Sequence, residues 1–148
     1  MKPLERTVIM MSGTPTMYPT VLYQDAQAAI AQLTEAFGFT VGAKYETEDG
    51  LVLHAELSYG NGTVMLGSQG RGGVFAEAME EAGPVGVYVR VEDIDAHYRR
   101  AQRSDVEILL PPTDMEYGSR EYLARDAEGN VWSFGTYTPA VAAAGAGP

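Results

Sequence analysis

The chain has 148 residues, a formal net charge of -10 and no cysteine. This length fits one domain with a core of its own, and the lack of cysteine excludes disulfides, thiolate nucleophiles and Cys-ligated metals. The acidic charge argues against nucleic acid or an anionic membrane surface as a partner, because both require a basic surface. We therefore expect neither partner. We also expect a cytoplasmic protein, because the apolar stretch at 8–11 is too short for a signal sequence or a membrane span.

The first half of the chain predicts a strand, a helix and three further strands. The β-branched and aromatic residues 20–23 are typical of a strand, and Asp25 is suited to begin a helix over 26–36. Apolar residues recur in that helix at three- and four-residue spacing, and Gly38 fits its end. The later strands are predicted over 40–46, 51–58 and 63–68.

A glycine-containing linker with a short acidic helix over 75–81 leads to a second half of the same kind. It opens with a strand over 86–91, and Glu92 and Asp93 begin a helix that runs through Arg103. Further strands are predicted over 106–110, 119–125 and 130–137. Pro111 and Pro112 should end the first of these, because proline donates no N–H to a sheet.

The two halves form an internal repeat. Asp25 and Glu92 are 67 residues apart, as are Gly62 and Gly129, and a helix start or a hairpin recurs at each pair. A duplicated unit of this size implies paired modules that share one concave surface, where a ligand would bind. The sequence therefore predicts an α+β fold of two tandem βαβββ modules with a cupped cleft.

Alternation along the strands predicts one apolar and one mixed face for each sheet. The residues predicted for the core are Leu53, Ala55, Leu57, Val87, Val89, Val91, Trp132 and Phe134. Those predicted for the mixed faces are Val52, His54, Glu56, Ser58, Gly86, Tyr88, Arg90, Val131, Ser133 and Gly135. His97, on the second long helix, is predicted to face solvent.

Three segments carry a resemblance to a known family: YPTVLYQD at 18–25, AFGF at 36–39 and RDAEGNVWSFG at 125–135. They resemble the vicinal oxygen chelate superfamily, which includes glyoxalase I, extradiol dioxygenases, and fosfomycin and bleomycin resistance proteins. The resemblance covers residues 17–139, as module one (17–68), a linker (69–82) and module two (83–139). It implies curved mixed sheets and a homodimer. Residues 1–16 then form an extension, and the small residues of 140–148 predict a flexible tail.

Metal-using members of this superfamily hold a divalent ion with His, Glu or Gln at four positions. The resemblance places those positions at Tyr18, Glu56, Gly86 and Ser133. Only Glu56 is a strong ligand there, whereas a divalent ion normally needs three or more protein ligands. No metal and no other cofactor is therefore expected, and the alternative is a divalent ion held with His54 and Glu121 as substitutes.

Two interpretations stay open for the other candidate residues. His54 is either a base or ligand, or a partly buried side chain bonded to Glu56 or a tyrosine. Glu56 either binds a cation or acts as a base, or it pairs with Arg90 or Arg120. Arg90 itself either clamps an anionic ligand group or neutralises an acidic neighbour. An aromatic wall for a ligand, or else ordinary packing at a dimer seam, is predicted for Tyr18, Tyr88, Met115 and Tyr117.

The leading hypothesis from the resemblance is a metal-free binding protein of the bleomycin-resistance type. A homodimer would bury a small molecule, cationic or aromatic, and protect the cell by sequestering it. The ligand contacts predicted are Tyr18, His54, Glu56, Tyr88, Arg90, Met115, Tyr117, Glu121 and Ser133. The alternatives are a metal-dependent glyoxalase or dioxygenase built around His54 and Glu56, and a metal-free lyase or isomerase that uses either residue as its base.

Overall fold

The computed structural model describes Gly13 and residues 15–139. Most of the predicted extension and all of the predicted tail lie outside the described residues. The elements are β1 (Thr20–Tyr23), α1 (Ala26–Phe37), β2 (Thr40–Glu46), β3 (Val52–Tyr59), β4 (Gly62–Ser68), α2 (Val74–Ala78), β5 (Gly86–Arg90), α3 (Ile94–Gln102), β6 (Glu107–Asp114), β7 (Arg120–Arg125) and β8 (Val131–Gly135). No helix in this part of the chain is long and apolar enough to cross a membrane.

Both long helices begin at an aspartate whose side chain accepts a hydrogen bond from a backbone N–H group in the first turn. The carboxylate of Asp25 accepts a hydrogen bond from the N–H three residues later at 3.0 Å, and that of Asp93 does the same at 3.1 Å. Such a cap stabilises a helix start by about 1 kcal/mol. Gly38 ends α1 with a φ of 80°, a left-handed conformation that glycine adopts without steric cost.

Each module folds into a four-stranded mixed sheet. The strand orders are β1-β4-β3-β2 and β5-β8-β7-β6, and in both sheets the first strand pairs parallel with the last. The predicted α+β fold with two βαβββ modules is confirmed. The aspartates that cap the two long helices, Asp25 and Asp93, are 68 positions apart (93 − 25), one more than the sequence offset.

The prediction that Pro111 and Pro112 end their strand is wrong. Strand β6 continues through both prolines, and its register against β7 shifts between Leu110 and Thr113. The prolines therefore lie in an irregularity of an edge strand, where a missing N–H breaks no regular ladder.

The short helix α2 ends at Ala78 rather than at the predicted residue 81. Glu80 and Glu81 follow it, and negative charge is unfavourable at the carboxyl end of a helix because the last carbonyl groups are themselves negative. The acidic run therefore belongs to the turn after the helix.

The face predicted for the start of β3 is also wrong. Val52 is fully buried, whereas 42% of Leu53 is exposed. Tyr45 lies opposite His54, but the next residue, Glu46, lies opposite Val52. Leu53 is therefore the extra residue of a bulge, and it reverses the in–out alternation.

One hydrophobic core serves both modules. The ring centroid of Phe37, at the end of α1, lies 4.8 Å from that of Phe134 on β8. Phe39, directly before β2, packs on Trp132 at 5.5 Å. Aromatic side chains of both modules therefore meet in one core, and the mixed face of each sheet is the face turned away from it.

His97 lies in this core, so the prediction of a solvated side chain is wrong. Only 7% of it is exposed. Its Nδ1 lies 2.6 Å from the Tyr122 hydroxyl, and its Nε2 lies 2.8 Å from the Phe37 carbonyl oxygen. Ile94 and Ala101, three and four residues away on α3, are buried beside it, a spacing that already marks one helix face.

Candidate functional site

The most specific sequence motif holds the modules together. The buried carboxylate of Asp126 accepts hydrogen bonds from the Tyr23 hydroxyl at 2.7 Å and the Trp132 indole N–H at 3.0 Å. It also accepts the backbone N–H groups of Glu128 and Asn130, each at 3.0 Å. Since Tyr23 belongs to β1, this hairpin fastens module two to module one. The motif therefore has a structural role.

The mixed face of module one carries a histidine–carboxylate pair. The Nε2 atom of His54 lies 2.9 Å from a carboxylate oxygen of Glu56, and the imidazole stacks on Tyr45 with centroids 6.3 Å apart. Both members of the pair are partly exposed. This geometry orients the imidazole, and it leaves both residues accessible to a ligand.

The arginines proposed as ion-pair partners of Glu56 do not contact it. Arg90 donates to a carboxylate oxygen of Glu92 at 3.0 Å and to the Thr138 hydroxyl at 2.6 Å. Arg120 bridges two carboxylates of its own module, with N···O distances of 3.0 and 2.9 Å. The charge of Glu56 is therefore balanced within module one by His54 alone, when that ring is protonated.

The mixed face of module two gathers tyrosines around Glu121. The Tyr117 hydroxyl donates to the Glu121 carboxylate at 2.5 Å, and the Tyr88 hydroxyl donates to the Tyr137 carbonyl at 2.6 Å. A Cβ atom on Gly135 would lie 2.8 Å from Glu121 Cγ and 2.9 Å from Tyr88 Oη. Only glycine therefore lets these two side chains meet. Burial and the nearby Glu121 raise the pKa of Tyr88, so its phenol remains a donor.

The corresponding glycine of module one leaves room for an arginine. Gly67 is 68 residues before Gly135 (135 − 67), and the Arg71 guanidinium lies where its side chain would be. Arg71 also donates to the Leu53 carbonyl at 2.8 Å, and its guanidinium carbon lies 5.8 Å from the centroid of the Phe75 ring. Arg71 and Tyr137 were not among the residues predicted from the sequence. A glycine at the same mixed-face position of both repeats was the signal that could have revealed them.

The side chains of one chain do not fit a divalent metal. Within the described residues, no three His, Asp or Glu side chains are placed to hold an ion. The 68-residue offset makes Met65 the module-one counterpart of Ser133 (133 − 65), and Glu56 lies opposite Met65 on the neighbouring strand. His54 and Glu56 supply two donors where three or more are normal.

The remaining predicted residues lie at the edges of these faces. Tyr18 precedes β1, and its hydroxyl donates to a backbone carbonyl three residues earlier at 2.9 Å. Met115 is half-buried in the turn between β6 and β7, and Ser133 lies opposite Tyr88 within the second sheet. The structure therefore groups His54 with Glu56, and Tyr88 with Tyr117 and Glu121, but it does not bring the two groups together.

Cavities also occur along the seam between the modules. One of about 340 Å³ is lined by Leu22 and Asn130, among others. A second, of about 330 Å³, lies between the β3–β4 hairpin and β5 and is lined by Tyr59, Tyr88 and Arg90. No histidine or acidic candidate of the mixed faces lines either one. Those candidates lie on open surfaces, so a ligand there would need a cover.

Comparison with known proteins agrees with the resemblance. The family model described as the Glyoxalase/Bleomycin resistance protein/Dioxygenase superfamily matches residues 17–134. The Mycobacterium bovis protein named "Uncharacterized protein Mb0911c" is 30% identical over 125 residues, which cover 82% of this chain and 82% of that protein.

Solved structures show the same fold. TioX from Micromonospora sp. ML1 is 30% identical with a TM-score of 0.69, and the match covers 86% of this chain and 100% of that one. A glyoxalase/bleomycin resistance protein from Streptomyces sp. CB03234 is 20% identical with a TM-score of 0.61, covering 78% and 94% of the two chains, a likeness of fold alone. The chain belongs to the glyoxalase/bleomycin resistance protein/dioxygenase superfamily.

Proposed function

We propose that this protein binds a small molecule, without metal, in a cleft that forms between two chains. One observation carries the proposal: the apolar faces of both sheets pack into one shared core, so both mixed faces are turned away from it. In a twofold dimer, the module-one face of each chain can lie against the module-two face of the other. Each dimer then encloses two equivalent clefts.

The two faces supply the kinds of group that a ligand site needs. Module one contributes His54 and Glu56, the linker adds Arg71 beside them, and module two contributes Tyr88 and Glu121. A few directional polar groups beside aromatic rings are typical of small-molecule sites. The function would be binding alone, so that a toxic compound in the cytoplasm is sequestered and the cell becomes resistant to it.

A ligand screen and a mass measurement test the proposal. Light scattering after gel filtration should give twice the mass of the chain, and a panel of aromatic cations should include compounds that raise the melting temperature with concentration, because they bind only the folded state. A monomer, or a panel with no such compound, would count against the cleft.

A mixing experiment then asks whether each cleft uses two chains. Glu56→Ala removes a module-one contact and Tyr88→Ala removes a module-two contact, so each variant alone should lose the ligand found in the screen. After the variants are mixed and allowed to exchange chains, about a quarter of the clefts should bind again, since half of the dimers are mixed and each has one intact cleft. A cleft within one chain would recover nothing.

The His54–Glu56 pair also favours a second candidate, an enzyme. A carboxylate 2.9 Å from an imidazole nitrogen orients the ring for proton transfer. Stoichiometric divalent metal in the purified protein, lost on Glu56→Ala, would indicate a glyoxalase or dioxygenase. Turnover without metal that is abolished by His54→Ala would indicate a lyase or isomerase.

A further inference from the structure

Glu121 is a carboxylate without a cationic partner. One of its oxygens accepts the Tyr117 hydroxyl at 2.5 Å, and none of the ion pairs in the described part of the chain includes it. A half-buried negative charge is normally paired or fully hydrated. Glu121 therefore retains an acceptor that is free for a ligand.

Two tyrosines, Tyr88 and Tyr117, lie beside this carboxylate, and a third, Tyr137, packs on Tyr117. The centroids of Tyr117 and Tyr137 lie 5.7 Å apart with the rings nearly perpendicular, at 78°. Tyr88 approaches Glu121 over Gly135, and its hydrogen bond to the Tyr137 carbonyl holds the ring in place. Tyr117 and Tyr137 are 62% and 46% exposed, so the arrangement is open to solvent on one side.

The nearest arginine of the same face does not neutralise Glu121. Arg90 is two residues from Tyr88 on β5, but its guanidinium is bonded to Glu92 and Thr138. Glu92 balances its charge at an N···O distance of 3.0 Å. Within the described residues, the charge of Glu121 is therefore left without an ion-pair partner.

We infer that Glu121, Tyr88, Tyr117 and Tyr137 form a cage for the ammonium group of a cationic ligand. Ring faces attract a cation through their quadrupole, and the carboxylate supplies the opposite full charge. This inference rests on the proposed cleft and names the part of it that selects the ligand. Alkylated ammonium groups suit the cage because they lose little hydration energy when they contact the rings.

Choline and its uncharged isostere 3,3-dimethyl-1-butanol test the cage directly. The two molecules have nearly the same shape and hydroxyl group and differ in the charge of one atom. In NMR titrations of the full chain, choline should bind about tenfold more tightly, from cation–π and charge attraction together. Equal affinity for the two molecules would overturn the inference.

Single-residue variants test which side chains produce the preference for choline over its uncharged isostere. Glu121→Gln keeps the size of the side chain and should reduce the preference for choline to about twofold or less. Glu116→Gln removes the same charge from an exposed residue of the adjacent turn and should leave the preference unchanged. Tyr117→Leu should weaken choline binding several-fold while the fold, checked by thermal unfolding, is kept. Full preference in Glu121→Gln would show that the cage is elsewhere.

The outcome also separates this inference from the cleft on which it depends. If a neutral compound binds in the mixing pattern of two chains while choline shows no preference, the cleft stands and the cage is wrong. If choline is preferred and Glu121→Gln removes that preference, the cage is supported even where the protein is monomeric.

Discussion

Asp126 shows how much a single buried carboxylate can determine. Both of its oxygens accept hydrogen bonds, and all the partners are donors: the Tyr23 hydroxyl, the Trp132 indole N–H and two backbone N–H groups. Burial and the Asp126 charge together raise the pKa of Tyr23, so that phenol stays a donor. Asp126→Asn would replace one acceptor oxygen by an NH₂ group that faces other donors. We expect a loss of about 3 kcal/mol in the free energy of unfolding, measured in urea.

Two further variants show whether the loss comes from this network. Tyr23→Phe removes one donor and leaves the others, so it should cost about 1 kcal/mol. Asp105→Asn makes the same chemical change at an exposed aspartate whose side chain has no described partner. It should change stability by less than about 0.5 kcal/mol. An equal effect at residues 105 and 126 would contradict the role assigned to the carboxylate.

At the scale of elements, α3 is tied to both modules through one imidazole. A carbonyl oxygen can only accept, so the neutral His97 ring donates from Nε2 to Phe37 and accepts the Tyr122 hydroxyl at Nδ1. Protonation would place a second donor against that hydroxyl. Burial lowers the pKa of His97, the hydrogen bond to Phe37 opposes the shift, and Arg100 adds to it.

This shift predicts the pH dependence of stability. Because the folded-state pKa of His97 lies below the unfolded value of about 6.5, the unfolded chain binds the proton more readily. The contribution of His97 is complete above that pH and is lost as the pH falls below it. Between about pH 7 and 5.5, the free energy of unfolding should fall more steeply in the wild type than in His97→Gln. Identical slopes would show that the ring does not control this dependence.

The elements also show what a sequence can and cannot predict. Helix α1, strand β1 and the repeat followed from local signals such as Asp25 and Gly38, because caps and periodicity act within a few residues. The exposure of Leu53 did not follow, since a bulge depends on the register with the neighbouring strand. The burial of His97 was indicated by its spacing from Ile94 and Ala101, but its hydrogen-bond partner Phe37 is 60 residues away and could not be predicted. Arg71 was missed because the space that it fills exists only where Gly67 lacks a side chain.

At the scale of the whole molecule, the described residues share one core, so the modules should unfold together. Phe37 belongs to module one and packs on Trp132 and Phe134 of module two. Trp132 is the single tryptophan of the chain. Because it lies in module two, its fluorescence follows the unfolding of that module. Any change that weakens module one should be visible in that signal if the core is shared.

Phe37→Ala provides this test. Removing a fully buried ring should cost about 3–5 kcal/mol through lost contacts and a residual cavity, and the urea midpoint from Trp132 fluorescence should fall together with that from far-UV circular dichroism. Phe75→Ala makes the same change at an exposed ring on α2 and should move neither midpoint appreciably. If the Trp132 signal kept its wild-type midpoint while circular dichroism showed an earlier transition, the modules would have separate cores, and the observation that supports the proposed cleft would be lost.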